Sequence, residues 1–331
     1  MTELVYNHQL YKNFKPGQSI IIDLEKTYTQ QLINRCNPDD LFVNSIWFEY
    51  DDEMIQLLDK KPARAIVYSG MDWHDYGYRK NVHLKLKEKV DNLIYVGNTG
   101  GSGYFSFWLF FVESYSESFY RPTPKSYNFN KLFMCLNRKR HEHRVSIVEN
   151  IFKNNLQNYG YVTLGGDPAN NIPPLVLSKD ITNVYGDKTV GNNIEGITND
   201  ISSLGNLEYW DDHLINIVTE TTVNTDTFIT EKTWKPILGL KPFMILGDPK
   251  IYHYLKQYGI DTFDDLFGTG YTAGNWQDRS EWIIENIKKY INTDYNKIYE
   301  SILPRLISNR DKMREIFIKN KHNFNSILQS L

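Results

Sequence analysis

Three adjacent residues within Phe228-Ile229-Thr230-Glu231-Lys232-Thr233-Trp234-Lys235 have side chains suited to a charged, hydroxyl-rich ligand. Thr230 is a good helix N-cap, because its hydroxyl oxygen can accept from the amides of the first turn. Glu231 suits the positive end of a helix. Lys232 does not, because a cation in the first turn opposes the helix dipole. An anion such as a phosphate at that helix end removes the conflict, and it leaves Glu231 to accept hydrogen bonds from a ribose. An ordinary capped helix that tolerates one lysine is the competing account of the same residues.

A second cluster is Leu136-Asn137-Arg138-Lys139-Arg140-His141-Glu142-His143-Arg144. Its charge alone would mean a solvated face or a nucleic-acid patch. Its position points elsewhere: it lies between an apolar strand-like run, 131–136, and the start of a helical pattern, where α/β folds bind phosphates. Arg138, Arg140 and Arg144 can grip phosphate oxygens bidentately, and Lys139 can act as a point charge. His141 and His143 raise the question of a metal, but no spaced carboxylate or cysteine accompanies them. No Asp-x-Asp occurs in the chain, so the paired carboxylates expected for a divalent ion are missing and no metal cofactor is expected.

In the first half, Met71-Asp72-Trp73-His74-Asp75-Tyr76 follows the apolar run 65–68. Carboxylates and an imidazole at the carboxyl end of a strand suit a cleft with a general base. Asp72 is the first candidate and Asp75 the next. An Asx-type turn with a half-buried Trp73 explains the same residues without chemistry. Glu49, with Asp51 and Asp52, ends another strand-like run and is a weaker candidate.

Those groups need elements to position them. Runs at 19–23, 42–48, 65–68 and 93–96 look like strands, and 53–58 and 83–90 have helix composition, which makes a βα pattern. In the second half, 131–136, 214–218 and 243–246 read as strands. Val145, Ile147, Val148, Ile151 and Phe152 give a helical apolar face, and helices are expected at 231–238 and 249–258, the last capped by Asp248 with Pro249 in its first turn. The tail, 281–331, is helical in character. Strands alternating with helices imply doubly wound parallel sheets, with ligand sites at the carboxyl ends of the strands. The polar Arg121-Pro122-Thr123-Pro124-Lys125-Ser126 reads as a linker, and 186–205 as a long surface loop. The expected division is an acceptor-side α/β domain at 1–125, a nucleotide-binding α/β domain at 126–305, and a C-terminal helix at 306–331 that can pack back on the first.

With 331 residues, 41% hydrophobic and 23% charged, the chain has the composition of a globular protein of two domains. A net charge of −3 excludes a globally basic nucleic-acid coat but not a local basic patch. Cys36 and Cys135 are the only cysteines, which excludes a disulfide framework and fits a reducing, cytoplasmic compartment. Residues 1–20 lack the apolar core of a signal sequence. The most apolar stretch, 104–112, is about half the ~20 residues a membrane-spanning helix needs, so no membrane span is expected. No GxGxxG follows a strand, and GxxxxGK[ST], GxSxG and HExxH are absent.

The segment 226–248, with Thr230-Glu231-Lys232 and Lys241-Pro242-Phe243-Met244-Ile245-Leu246-Gly247, resembles the donor-binding segment of the α1,3-fucosyltransferase-like glycosyltransferases. The stretch 133–144 resembles the basic strand–loop region that this family sets beside the donor phosphates. The resemblance implies a GT-B fold, two Rossmann-like domains facing each other across a cleft, with a nucleotide-sugar in the C-terminal one. It implies an inverting, metal-independent transfer to a carbohydrate or other hydroxyl acceptor, with Glu231 on the ribose and Lys232, Arg138 and Arg140 on the diphosphate. Sugar transfer to a modified DNA base, and a non-catalytic nucleotide- or nucleic-acid-binding protein, are the alternatives.

Overall fold

The computed structural model describes residues 5–6, 31, 34–35, 40–44, 59, 64–69, 73–74, 87–97, 121–137, 139–172, 175–176, 204, 207–224 and 228–330. The runs expected at 19–23 and 53–58 and the apolar stretch 104–112 lie outside them, as do Cys36 and most of the loop 186–205. The chain divides into two compact units, Met1–Ser114 with Glu315–Leu331, and Tyr115–Arg314.

The first unit carries β1 (Val5–Tyr6), β2 (Asp40–Asn44), β3 (Arg64–Ser69), β4 (Trp73–His74) and β5 (Leu93–Gly97). Four of them form a sheet in the order β1-β2-β3-β5, and every pairing is parallel. β2 begins at Asp40, two residues before the apolar run read from sequence. The reason is electrostatic: Asp40 sits opposite Arg64 in the register of β2 and β3, and the two form an ion pair with Asp40 buried. The pair lets a carboxylate enter a buried strand that its charge alone would keep out.

The second unit contains β6 (Lys131–Cys135), α1 (Glu142–Lys153), β7 (Gly160–Leu164), β8 (Leu175–Val176), α2 (Leu207–Asp212) and β9 (His213–Thr219). These are followed by β10 (Phe228–Ile229), α3 (Glu231–Leu238), β11 (Phe243–Leu246), α4 (Lys250–Gln257), α5 (Asp264–Phe267) and α6 (Trp276–Tyr290). The last helix, α7 (Tyr295–Ser330), runs on into the first unit's share of the chain. The five-stranded sheet has the order β11-β9-β6-β7-β8, parallel except for the short edge strand β8. All seven residues of β9 and all four of β11 are buried, as expected for parallel strands covered on both faces. Helices α1 and α6 pack on each other, and α3 packs on β9 and β11.

The topology has one functional consequence. The chain leaves β6 towards β7 on one side, and later leaves β9 towards β11 on the other. With right-handed crossovers the two connections wind over opposite faces. The switch point of the sheet, the place at which α/β sheets bind ligands, therefore lies between the carboxyl ends of β6 and β9.

Local chemistry sets the boundaries of these elements. Asp248 Oδ1 accepts from the Lys250 amide at 2.8 Å and so caps α4 from one residue before its N-cap, Pro249. Helix α3 ends in a Schellman arrangement: the Lys241 amide donates to the Pro236 carbonyl at 2.8 Å, and Leu240 takes the left-handed conformation at φ 56°. Gly239 is not that left-handed residue; a Cβ there would meet the Trp210 ring at 2.8 Å. The turn delivers Lys241 into the floor of the sheet, where its ammonium donates to the His213 carbonyl at 2.5 Å and lies 4.3 Å from the centre of the Phe129 ring. Burial, reinforced by nearby Arg121, holds this amine well below its ordinary value. Arg121 itself is buried and its carbonyl accepts from Arg310 at 2.7 Å, so the proline-containing segment starts packed into the second unit.

The strand β7 was not expected from sequence. Its first residue, Gly160, leaves room for a buried neighbour: a Cβ there would come within 2.5 Å of the Phe133 ring of β6. Gly160→Ala should therefore destabilise the second unit by about 1–3 kcal/mol through overpacking. Urea denaturation followed by tryptophan fluorescence reads this loss, and an unchanged midpoint would show that the β6–β7 contact is looser than described.

Candidate functional site

The carboxyl ends of β6, β7 and β9 are tied together by one amide side chain. Asn137 Oδ1 accepts from the Thr219 hydroxyl at 2.6 Å, its Nδ2 donates to the Thr163 carbonyl at 3.1 Å, and its backbone amide donates to the Thr163 hydroxyl at 3.1 Å. Asn137 is buried, and all these groups lie within the sheet's carboxyl edge. The edge is thereby fixed before the basic loop begins.

The residue after Thr219 is Glu220, which is fully buried. Its carboxylate accepts from the Thr230 amide at 3.0 Å, the Thr230 hydroxyl at 2.8 Å and the Thr233 hydroxyl at 2.7 Å. A buried carboxylate is tolerated only with such partners, and here they all come from the start of α3. Thr230 is thus held from behind. Its hydroxyl donates to Glu220 and accepts from the Lys232 amide at 3.2 Å and the Lys232 ammonium at 2.8 Å. One donor and two acceptor sites are the whole capacity of a hydroxyl, so Thr230 is a positioning residue with nothing left for a ligand.

Lys232 is the more accessible member of the group, with its side chain 30% exposed. Its ammonium lies 2.9 Å from Glu231 and 4.0 Å from Glu220. Burial opposes ionisation of Glu231, but Lys232 and then Lys235 overcome it and hold the carboxyl below its ordinary value. The Glu231–Lys232 pair is therefore charged at neutral pH.

Facing this helix end is the basic loop. Arg140 reaches the Gly165 carbonyl at 3.4 Å, and Lys139 is exposed. Arg144 is buried and donates to the Thr219 carbonyl at 3.0 Å. His143 is buried beside it, with Nε2 2.8 Å from the Glu220 carbonyl; because a carbonyl only accepts, that nitrogen carries the proton. Burial is the main force that pushes His143 down to about 4, against the raising effect of that hydrogen bond and with help from Arg144. The His141 ring lies parallel to it at 5.8 Å, and Trp276 of α6 meets His143 edge-on at 6.4 Å. Burial, followed by Arg144, Lys139 and Lys232, lowers His141 as well. Glu220 brings the starts of α1 and α3 to one place at the switch point, its carbonyl meeting His143 and its carboxylate meeting Thr230 and Thr233.

Of the sequence-derived candidates, Lys139, Arg140, Arg144, Thr230, Glu231 and Lys232 are described, and they gather around the carboxyl ends of β6 and β9. Arg138, Asp72, Asp75 and Glu49 lie outside the described residues. Three residues that organise the site were not singled out from sequence: Glu220, Asn137 and Thr233. Glu220 left one trace, an acidic residue two positions after the strand read at 214–218. Among the described residues no group of three or more histidine, cysteine or carboxylate side chains could hold a metal ion, and no helix is long and apolar enough to cross a membrane. Cys135 is buried, and burial pushes its thiol up to about 12, which leaves it chemically inert.

No protein-family model, curated protein or solved structure matches this chain. The site's cations and helix ends can hold a phosphorylated ligand, and Glu231 stands at the same helix end as a charged acceptor for hydroxyl groups.

The same geometry makes a pH prediction. His143 sits at about 4 in the fold against an ordinary 6.5, so its neutral form supports the fold above pH 6.5 and that support drains as the pH falls towards 4. Between pH 7 and 4.5 it accounts for a loss on the order of 2–3 kcal/mol. His143→Gln, which retains a donor for the Glu220 carbonyl, should show a shallower fall of the urea midpoint over that range. Parallel curves for the two proteins would remove His143 as the cause.

Proposed function

We propose that the protein is a nucleotide-sugar-dependent glycosyltransferase of GT-B type, inverting and independent of a metal ion, with its donor site in the second unit. The observation that carries the reading is the placement of Lys232. It is a first-turn cation on a helix whose start is clamped by buried Glu220, and it shares the switch point with a basic loop. A diphosphate resolves the opposition between that cation and the helix dipole. It also brings the negative charge that Lys139, Arg140 and Lys232 can bind.

In this reading Glu231 holds the ribose, and Lys232, Arg140, Lys139 and the neighbouring Arg138 hold the diphosphate. Arg144 supports them from beneath through the Thr219 carbonyl. A carboxylate of the N-terminal half, Asp72 first, then Asp75 or Glu49, takes the proton of an acceptor hydroxyl. The acceptor oxygen bonds to the anomeric carbon as the bond from that carbon to the diphosphate oxygen breaks, and the electron pair leaves on the diphosphate. Positive side chains and helix amides stabilise that departing charge, the electrostatic part of catalysis.

The direct test is release of free nucleoside diphosphate from a panel of nucleotide-sugars, together with diphosphate binding by calorimetry. Lys232→Ala should weaken diphosphate binding by about 1.5–3 kcal/mol, the range for hydrogen bonds to charged groups, while the melting temperature stays near that of the parent. Unchanged affinity would remove Lys232 from the phosphate site. For the base, Asp72→Asn should lower turnover by about 10²–10⁴ with donor affinity little altered. A near-parental rate there, beside a collapse in Asp75→Asn or Glu49→Gln, would move the role to that residue.

A further inference from the structure

The diphosphate reading accounts for the lysines and arginines of the basic loop but leaves His141 without a task. His141 is the N-cap residue of α1, yet its side chain makes no capping hydrogen bond. Its Nε2 is shielded from solvent and has no hydrogen-bond partner among the described residues. The ring instead lies parallel to that of His143, with centroids 5.8 Å apart and planes within 4°. His143 in turn is fixed by the Glu220 carbonyl. The framework thus holds an imidazole in place and leaves one of its nitrogens unused, beside the cations that the ligand would contact.

The surroundings decide the charge of that imidazole. On its own segment stand Lys139 and Arg140; from α1 come Glu142, His143 and Arg144; from α3 come Lys232 and its partner Glu231; β9 leads into Glu220, already satisfied by Thr230 and Thr233. α6 meets the stack through Trp276, which carries no charge. Burial is the first force against protonation of His141, and Arg144, Lys139 and Lys232 follow. All four act in one direction. An anion placed among those cations reverses the last three, because it neutralises the charges that repel a proton and itself attracts one.

We propose that His141 takes up a proton when a diphosphate binds at the carboxyl ends of β6 and β9, and that as an imidazolium it becomes a further hydrogen-bond donor to the phosphate oxygens. The inference rests on the donor-site reading and adds a pH-dependent ligand group to it. A permanently charged residue at this position would add to the mutual repulsion of the neighbouring cations. A histidine takes its charge only when the counter-charge arrives.

The test is isothermal titration calorimetry with adenosine, guanosine, uridine and cytidine 5′-diphosphates. Each is titrated at pH 7 in two buffers of different ionisation enthalpy, into the parent protein and into His141→Asn. Comparing the two proteins cancels the protonation of the ligand itself. Per ligand bound, the parent should take up more protons than His141→Asn, by about half a proton at least. Its affinity advantage should also grow roughly fivefold or more from pH 8 to pH 6. Equal proton uptake with equal pH dependence overturns the role of His141 while leaving the donor site standing. Failure of all four diphosphates to bind the parent overturns the donor-site reading and this inference with it. Should His141→Asn not fold, NMR titration of the parent's imidazole signals with and without the diphosphate decides the matter. One histidine moving upward with ligand supports the proposal, and none moving overturns it.

Discussion

The buried carboxylate of Glu220 is the constraint on which the second unit's functional edge depends. A charge with no exposed surface is tolerated only if its lone pairs are occupied. The three donors that occupy them belong to Thr230 and Thr233, ten and thirteen residues further along the chain. The start of α3 is therefore drawn to the end of β9. Once Thr230 is fixed, Lys232 follows, because both its amide and its ammonium use the Thr230 hydroxyl. The His143 bond to the Glu220 carbonyl brings α1 to the same residue by its main chain. One residue thus organises two helix starts, one through its side chain and one through its backbone.

Asn137 performs the corresponding task across the sheet. Parallel strands end independently unless something joins their last residues, and the switch point is where neighbouring connections diverge. By bridging Thr163 and Thr219, Asn137 ties β7 and β9 to β6 just beyond the last paired residue of β6. The Gly165 amide then returns to the Asn137 carbonyl at 2.8 Å, which carries the tie into the loop after β7. That loop receives Arg140. The basic segment is consequently supported on a polar network that is closed on the sheet side.

The sequence made some of this legible and hid the rest, for physical reasons. Helix 231–238 and strand 243–246 were read with the boundaries observed, because an N-cap threonine and a wholly apolar run are local signals. The strand β7 was missed. Its buried positions include Gly160, which is there to make room for Phe133, and Thr163, whose hydroxyl is satisfied by Asn137. Neither residue announces a strand, since each is explained by a partner more than twenty residues away. Glu220 was missed for the same reason: its partners lie ten and thirteen residues on, and no local pattern encodes them. Arg144 shows the converse. Its charge made it a candidate ligand group, but its side chain turns inward to the Thr219 carbonyl. Charge is visible in sequence, whereas direction is set by packing. The carboxylates Asp72, Asp75 and Glu49 rest on the sequence argument.

The site therefore separates into a framework and a working face. Glu220, Thr230, Thr233, Asn137 and Arg144 are buried and bonded to one another or to strand carbonyls. Any rearrangement there would strand a polar group out of water, at about 1–3 kcal/mol for each donor or acceptor left unsatisfied. Lys139 and Lys232 differ from them: one is exposed and the other is nearly a third exposed. Exchanging partners costs them little, since water and a ligand can substitute for what they leave. This division is what an anion site needs. Preorganised dipoles and cations gain most when they do not have to be assembled at the moment of binding, and the Glu220 clamp means that the α3 start is already in place. The Lys232 ammonium, held by Glu231 and Thr230, sits at the tip of a long side chain that can turn without disturbing the framework behind it.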